Sequence, residues 1–528
     1  MKKIILAFTI TVGLFGASCK KYLDINTNPN SVSTAGPSLV LPLAIVNTAS
    51  LISALNDYGG QTCGYASSAG GYGGFGASWT YDYPPSQGAG YWSSAYSYLE
   101  NFQYIINNTI GSDQNAYYSA AAKIMKAYIF QNLVDEFNDI PYTSALKGDS
   151  VLLPTYDKAT DIYPSLANLL DSATAQIIAA NTAGTATALG TSDPLFGGNM
   201  DNWIRFANTL KLRLIIRASS VVSFANTNFA TTSSSSPFLT SDAIVNPGYQ
   251  LASASSGAQI NPSWGSWVAN VTGSRVGQAW IAAQFVTGYY TGQKLSDPAR
   301  GAAIYFNYPG VYTYQLGLVG NDPSAPANAG AWYSGGGSGT GLGNAIGVMK
   351  GPNMGEPLML LAESDFLQAE ADVRGIVDGN ATTDFNNGIL ASFTYLEELP
   401  NLSLASGMNP TADVATYLAA NPSSYLVNFG LATTTAQKIE AIITQKYIAM
   451  NFISGQEAWS EYRRTGYPVS STQVLNNPYG SMASIQSQAT RPDHLPTRLP
   501  YPNTEAATNA TNVPTGISVY TSTIFWAK

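Results

Sequence analysis

Two stretches decide how this chain folds: GPNMGEPLMLLAESDFLQAEADVRG (residues 351–375) and QKYIAMNFISGQEAWSEYRRTGYP (445–468). In the first, Ala362, Phe366, Ala369 and Val373 recur at three- and four-residue steps, the spacing of one helix face, which predicts a helix over 355–374. Around the second, Ile439, Ile443 and Met450 predict a helix over 435–452, and a shorter one fits 456–464. The same rule applied outward gives a helix over 115–137 through Tyr118, Ala122, Met125, Ile129 and Leu133. Another covers 201–218 through Trp203, Ala207, Leu210 and Leu214. Weaker periodicity marks 39–56, 91–107 and 161–180. Alanines on the apolar faces (Ala121, Ala122, Ala369, Ala371) allow close approach, as in stacked helical hairpins. No clean repeat at a fixed period emerges, so any repeat is degenerate.

Between the helices lie two long stretches without periodicity. Residues 57–90 are rich in Gly, Ser and Tyr, and residues 222–350 hold Ser runs, the Gly run GGGSGTGLG, and scattered Trp and Tyr. Segments of this length usually carry function, and their aromatic content argues against plain disorder. The reading is a helical scaffold, about 38–220 and 355–470, with a loop-rich insert over about 222–350 that carries the binding function.

Charged residues are only 11% of the 528-residue chain, so solubility rests on Ser, Thr, Asn, Gln, Gly and Tyr. The formal charge of −8 argues against nucleic acid as a partner. The 33 tyrosines and 9 tryptophans supply rings that suit half-wet contact surfaces.

The first residues read as an address. Lys2 and Lys3 precede the apolar run from Ile4 to Phe15, which is too short to span a bilayer, and Gly16-Ala17-Ser18 then leads into a cysteine. This is a lipobox, predicting a signal peptide over 1–18, lipidation at Cys19 and an extended tether over 19–37 ahead of a globular domain over 38–528. Two acyl-type anchors hold a protein stably at a membrane without crossing it. With Cys19 lipidated, only Cys63 remains, so an internal disulfide and a cysteine metal cluster are both excluded, and Cys63 reads as a small buried thiol.

Taken together, these segments resemble the SusD/RagB-type outer-membrane lipoproteins of Bacteroidota, and within them the SusD-like branch. The resemblance rests on the lipobox followed by KYLDINTNPN, on Glu363, Ala369, Glu370 and Ala371, and on the late helical pair through Gln445, Lys446, Tyr447, Glu457, Trp459, Arg463, Arg464, Gly466 and Pro468. Arg498, Tyr501, Pro502 and Glu505 complete it. It implies a mainly α fold with four degenerate tetratricopeptide-like helical pairs and a loop-rich binding half. It also implies a cell-surface lipoprotein that captures glycan fragments, or sometimes peptides, as a hinged lid on a SusC-like TonB-dependent transporter in the outer membrane. One departure is Lys20-Lys21, which stand where an acidic patch often promotes surface export.

Sugar recognition needs flat apolar rings with hydrogen-bonding groups close by. Two clusters offer this. SWTYDYPPSQGAGYW carries Trp79, Tyr81, Asp82, Tyr83 and Trp92, and YFNYPGVYTYQ with the AWYSGGG that follows carries Tyr305, Asn307, Tyr308, Tyr312, Tyr314, Trp332 and Tyr333. Trp79, Tyr81, Tyr314 and Trp332 lead the expected ligand contacts, with Asp82, Tyr83, Tyr312 and Tyr333 beside them. Trp264 and Trp267 form a third, lower-ranked pair. The alternative for each ring is packing of loop onto scaffold. For Arg463 and Arg464 an ion pair, or a cation–π contact with Trp459, is favoured over a ligand role.

Catalysis is not expected. The chain holds a single histidine, His494, in a Pro-rich segment without a nucleophile-elbow pattern. The carboxylate pairs Glu363/Asp365 and Glu457/Glu461 could in principle serve a surface glycoside hydrolase, but on helices they read as a solvated or interface face. No metal site or cofactor is read from the chain, and the oxygen-rich run at Asn321-Asp322 does not define one.

Overall fold

Helix α1, Pro37–Thr62, has proline in its first turn, where the missing N–H has no partner to lose, and it buries Leu41, Ile45, Ile52 and Leu55. By length and composition alone it could cross a membrane, yet in the fold it is a core helix. The computed structural model describes residues 35–231, 236–251, 259–318, 332–333 and 345–528; the signal segment, Cys19 and the Asn321-Asp322 run lie outside the described residues.

Helices α2 (Ala89–Asn108), α3 (Ala116–Phe137), α4 (Ala159–Ala183) and α5 (Met200–Ala218) follow, each packed on the one before it. A second group consists of α6 (Leu361–Arg374), α7 (Ala381–Glu397), α8 (Pro410–Ala420), α9 (Thr435–Ala449) and α10 (Gly455–Thr465). Contacts of α6 with α5 and of α10 with α1 join the groups. At the second crossing the backbones nearly touch: a Cβ on Gly455 would lie 2.4 Å from both Asn56 O and Gly60 N. A capping box of Thr434 and Gln437 starts α9. The mainly α, helical-pair architecture expected from the sequence is what the structure has.

The structure corrects one expectation and adds two helices that the periodicity did not single out. The segment 355–374 is not helical throughout: Glu356–Met359 is a strand antiparallel to Ala243–Val245. Pro357 accounts for this, since the residue before a proline is pushed into extended backbone. Secondly, α7 and α8 carry weak sequence signals but are full helices, α7 burying Phe385, Ile389, Phe393 and Leu396 against its neighbours. Gly388 in α7 admits Phe366 of α6, whose ring would lie 2.8 Å from an added Cβ.

Charged side chains on five of these helices do not meet water. Asp135 and Glu136 of α3, Arg213 and Arg217 of α5, Glu363 and Glu370 of α6, Lys446 of α9, and Glu457, Glu461, Arg463 and Arg464 of α10 are all buried. Arg217 bridges Asp135 at 2.6 Å, Glu457 at 2.6 Å and Glu461 at 3.1 Å. Arg213 reaches Glu363 at 3.0 Å and Lys446 reaches Glu457 at 2.6 Å. Arg464 grips Glu370 through both guanidinium nitrogens, each at 2.7 Å, and also pairs with Glu461. Arg463 pairs with Glu136 at 2.6 Å and sits over the Trp459 ring at 5.2 Å, so both contacts expected of it are present. Burial opposes ionisation of Glu461, but Arg464, Lys446 and Arg217 outweigh it and pull its carboxyl down to about 2. Glu363, Glu457 and Glu461 are therefore neither solvated nor free for catalysis.

The C-terminal segment closes the same region. Leu499 N–H donates to Glu136 O at 3.1 Å, Tyr501 Oη to Asp139 O at 2.7 Å, and Trp526 Nε1 to Asp135 at 3.0 Å. Arg498 donates to Phe137 O and lies over the Tyr501 ring.

Removing one member of this cluster leaves its partners charged and buried. Arg464→Met is expected to lower unfolding stability by about 3–5 kcal/mol. Arg491→Met, which breaks the half-exposed pair with Asp493, is expected to cost about 1 kcal/mol or less. Urea unfolding of both variants checks this; equal losses would contradict it.

Candidate ligand-binding surface

Strand β1 (Ala66–Ser68) follows α1 and pairs antiparallel with β2 (Trp280–Ala283), whose other edge takes β3 (Thr313–Tyr314) in parallel. This small sheet brings the early aromatic loop and the mid-chain aromatic loop side by side. Ala282 is opposite Ala66 on one edge and Thr313 on the other.

The C-terminal segment pins both loops from behind. Gln488 N–H donates to Thr80 O at 2.8 Å, Ile485 N–H to Leu316 O at 3.0 Å, and Gln486 Nε2 to Gly317 O at 2.6 Å. Ser484 N–H donates to Tyr81 Oη at 3.1 Å.

On the solvent side of the sheet is a set of rings. Phe75 stacks on Trp79, centroids 4.7 Å apart and planes 13° off parallel, and meets Trp280 edge-on at 5.1 Å. Tyr72 Oη donates to Gln278 Oε1 at 3.2 Å. Tyr72, Phe75 and Trp280 are half-buried, and Tyr312, next to the sheet, is 45% exposed. Trp79 is buried, and its indole Nε1 has no hydrogen-bond partner. A buried donor left unpaired is costly, so this is a position where an incoming acceptor gains a full hydrogen bond.

The residues expected at the site are placed unevenly. Asp82 and Tyr312 reach solvent, and Trp79 sits within the ring set. Tyr81, Tyr83, Tyr314, Trp332 and Tyr333 are buried. Tyr83 packs against Tyr58 and Tyr81, and Tyr314 is in a small cluster with Ala69 and Ile281. Trp332 has one face stacked on Phe452 at 3.9 Å, and Trp267 meets it edge-on at 5.8 Å. Tyr305 is also buried, accepting from Asn451 Nδ2 at 2.7 Å. Trp92 is not on a loop but on α2, in a core cluster with Phe137 and Tyr501. Trp264 and Trp267 form part of the helical turn Pro262–Trp267 and are buried. Cys63 is a fully buried free thiol, and burial pushes its pKa up. Tyr72, Phe75 and Trp280, which the sequence reading did not single out, are isolated rings among small and polar residues and carry no periodic signal.

Comparisons with known proteins place the chain in a family. A family described as starch-binding and associating with the outer membrane, SusD-like, matches residues 29–502. The chain belongs to the SusD-like family. Among solved structures, a SusD homologue from Bacteroides fragilis superimposes with a TM-score of 0.68 at 18% identity, covering 93% of this chain and 100% of its own. A chitin-binding SusD homologue from Flavobacterium johnsoniae gives 0.66 at 22% identity, covering 92% of this chain and 98% of its own. A structure described as a chitin-binding protein gives 0.62 at 23% identity, covering 93% of this chain and 99% of its own. No curated protein matches the chain.

The half-buried Asp57 and the buried Glu356 brace the helical turn that backs Trp332. Trp267 Nε1 donates to Asp57 at 2.5 Å, and Ser263 and Asn261 donate to Glu356 at 2.7 and 2.8 Å. Burial pushes each carboxyl up to about 7 against these hydrogen bonds. The folded state thus binds more protons than the unfolded chain between about pH 4 and 7, and stability falls as pH rises through that window. The melting temperature is expected to drop by at least about 2 °C between pH 5 and 7.5, and Asp57→Asn to flatten that slope. Calorimetric melts across this range check it, and a rising melting temperature would refute it.

Proposed function

We propose that this SusD-like protein is a non-catalytic, lipid-anchored binding component of an outer-membrane uptake system. It captures glycan fragments on the ring set around Phe75, Trp79 and Trp280 and delivers them, as a hinged lid, to a SusC-like TonB-dependent transporter. The observation that carries this reading is the stacked Phe75–Trp79 pair with Trp280 set edge-on beside it, at the junction of two loops fixed by one sheet. Flat ring faces take the C–H face of a sugar, while Tyr312, Asp82 and the unpaired indole N–H of Trp79 offer hydroxyl contacts. The chitin-binding relatives support a glycan over a peptide, and the family description supports outer-membrane association. Lipidation at Cys19 keeps the lid close to its barrel, so that modest affinity suffices through high effective concentration. The binding energy concentrates substrate and stabilises no transition state.

A peptide cargo, as in RagB-like relatives, is the second reading, and a surface glycoside hydrolase the least supported. The carboxylates a hydrolase would need, Glu363, Glu457 and Glu461, are held in ion pairs.

Calorimetric titration of residues 20–528 with chito- and malto-oligosaccharides, with product masses read on the same samples, tests the proposal. Saturable binding to one of them without new products is expected. Trp280→Ala is expected to weaken it about 10- to 100-fold, from the roughly 1.5–3 kcal/mol that burying an aromatic ring supplies. Binding that survives both Trp280→Ala and Phe75→Ala, or the release of shorter products, would overturn it.

A further inference from the structure

Away from the aromatic surface, a cavity of about 720 Å³ opens between α6, α7 and the segment around Asp242. Its lining is acidic, and the fold compensates that charge only in part. Asp242, Asp365, Asp384 and Glu398 all face it. Asp242 accepts the Leu361 N–H at 2.6 Å. Burial pushes the carboxyls of Asp242 and Glu398 up, and the buried Lys350, whose ammonium donates to Tyr395 O at 2.5 Å, opposes this only in part. Burial pushes the Asp384 carboxyl up, opposed by its hydrogen bond with the neighbouring carboxyl of Asp372.

Asp365 stands apart. It is only 8% exposed and forms no hydrogen bond or ion pair with any described residue, although it lines an open cavity. With no protein partner, its carboxyl meets only what the cavity holds, so a cation entering there gains an ion pair that the fold itself does not supply. The sharp contrast is with Glu363, two residues earlier on the same helix, which is fully paired with Arg213.

A metal ion does not fit. Among the described residues no three carboxylate, imidazole or thiol groups come close enough to hold one. The group that would satisfy Asp365 is therefore larger than a single ion, cationic, and able to enter the cavity onto which its carboxyl opens. Leu361 and Leu390 in the lining offer apolar contact to a stem that leads there.

We infer that this cavity is a binding site for a lysine or arginine side chain of a polypeptide. Its cationic head meets Asp365 and Asp384, and its aliphatic stem lies along Leu361 and Leu390. An amino sugar carries its ammonium on the ring and lacks the stem needed to reach Asp365. The site is separate from the ring set proposed to bind glycan, and the two are tested independently.

Burial, with Asp384 and Asp242 adding to it, pushes Asp365 up to about 8, while burial brings Lys350 down to about 8. Loading a cation next to Asp365 therefore releases a proton, and affinity rises with pH until the carboxyl is ionised.

The experiment is calorimetric titration of residues 20–528 with tetralysine and tetra-arginine peptides at pH 6.5 and 8.5, with calcium chloride and glucosamine oligomers run alongside. Saturable, salt-sensitive peptide binding is expected, about tenfold tighter at pH 8.5. Asp365→Asn is expected to weaken it at least tenfold while leaving the melting temperature unchanged or higher, since the substitution removes an unpaired buried acid. Trp280→Ala is expected to leave it unchanged. Absence of peptide binding, equal binding by Asp365→Asn, or binding by calcium or glucosamine oligomers alone would overturn the inference.

Discussion

Arg217 lies within ion-pair distance of three carboxylates contributed by two helices, with almost none of its side chain in water. Around it, Arg213, Lys446, Arg463, Arg464 and the half-exposed Arg374 complete a set of six cations facing Asp135, Glu136, Glu363, Glu370, Glu457 and Glu461. The set is neutral as a whole and ties together α3, α5, α6, α9 and α10. Such a cluster adds little net stability compared with an apolar core, because desolvation consumes most of the Coulomb gain. Its effect is on specificity: helices whose charges match in only one arrangement cannot slide into another without stranding a buried charge.

That arrangement sets the binding surface. α10 carries four members of the cluster and crosses α1 at the glycine contact of Gly455 with Gly60, which fixes the end of α1 from which β1 departs. The chain beyond α10 returns past the loops, and its segment around 484–488 holds both the early and the mid-chain loop by backbone hydrogen bonds. The aromatic face is therefore loop-borne but not free-standing. Its rings are positioned by a scaffold with buried charges at its centre.

The helices were legible in the sequence where burial is one-sided or where apolar residues dominate, as in α3 and α5. For the carboxylates of α6 and α10 the sequence left a solvated and an interface face both open, because periodicity reports which face differs and not what that face meets. Only the partner charges on distant helices, such as Glu370 for Arg464 across 94 residues, reveal an internal network. The two aromatic regions were legible, but which of their rings reach solvent was not. Trp332 looks like an exposed loop ring until Phe452 is found stacked on it, and Trp92 looks like a loop ring although it is part of α2. Phe75 and Trp280 carry no local signal, since their significance comes from the sheet that brings them together. The strand at Glu356–Met359 was hidden by helix-like spacing that Pro357 interrupts.

Native-state hydrogen exchange under increasing urea tests most directly whether the charge cluster defines the scaffold. The account predicts that amides of Gln131–Glu136, Leu210–Arg217 and Glu457–Arg464 exchange only through global unfolding, as one cooperative unit spread over three helices distant in sequence. Exchange of these amides through separate, lower-energy openings, with α4 outlasting them, would contradict it.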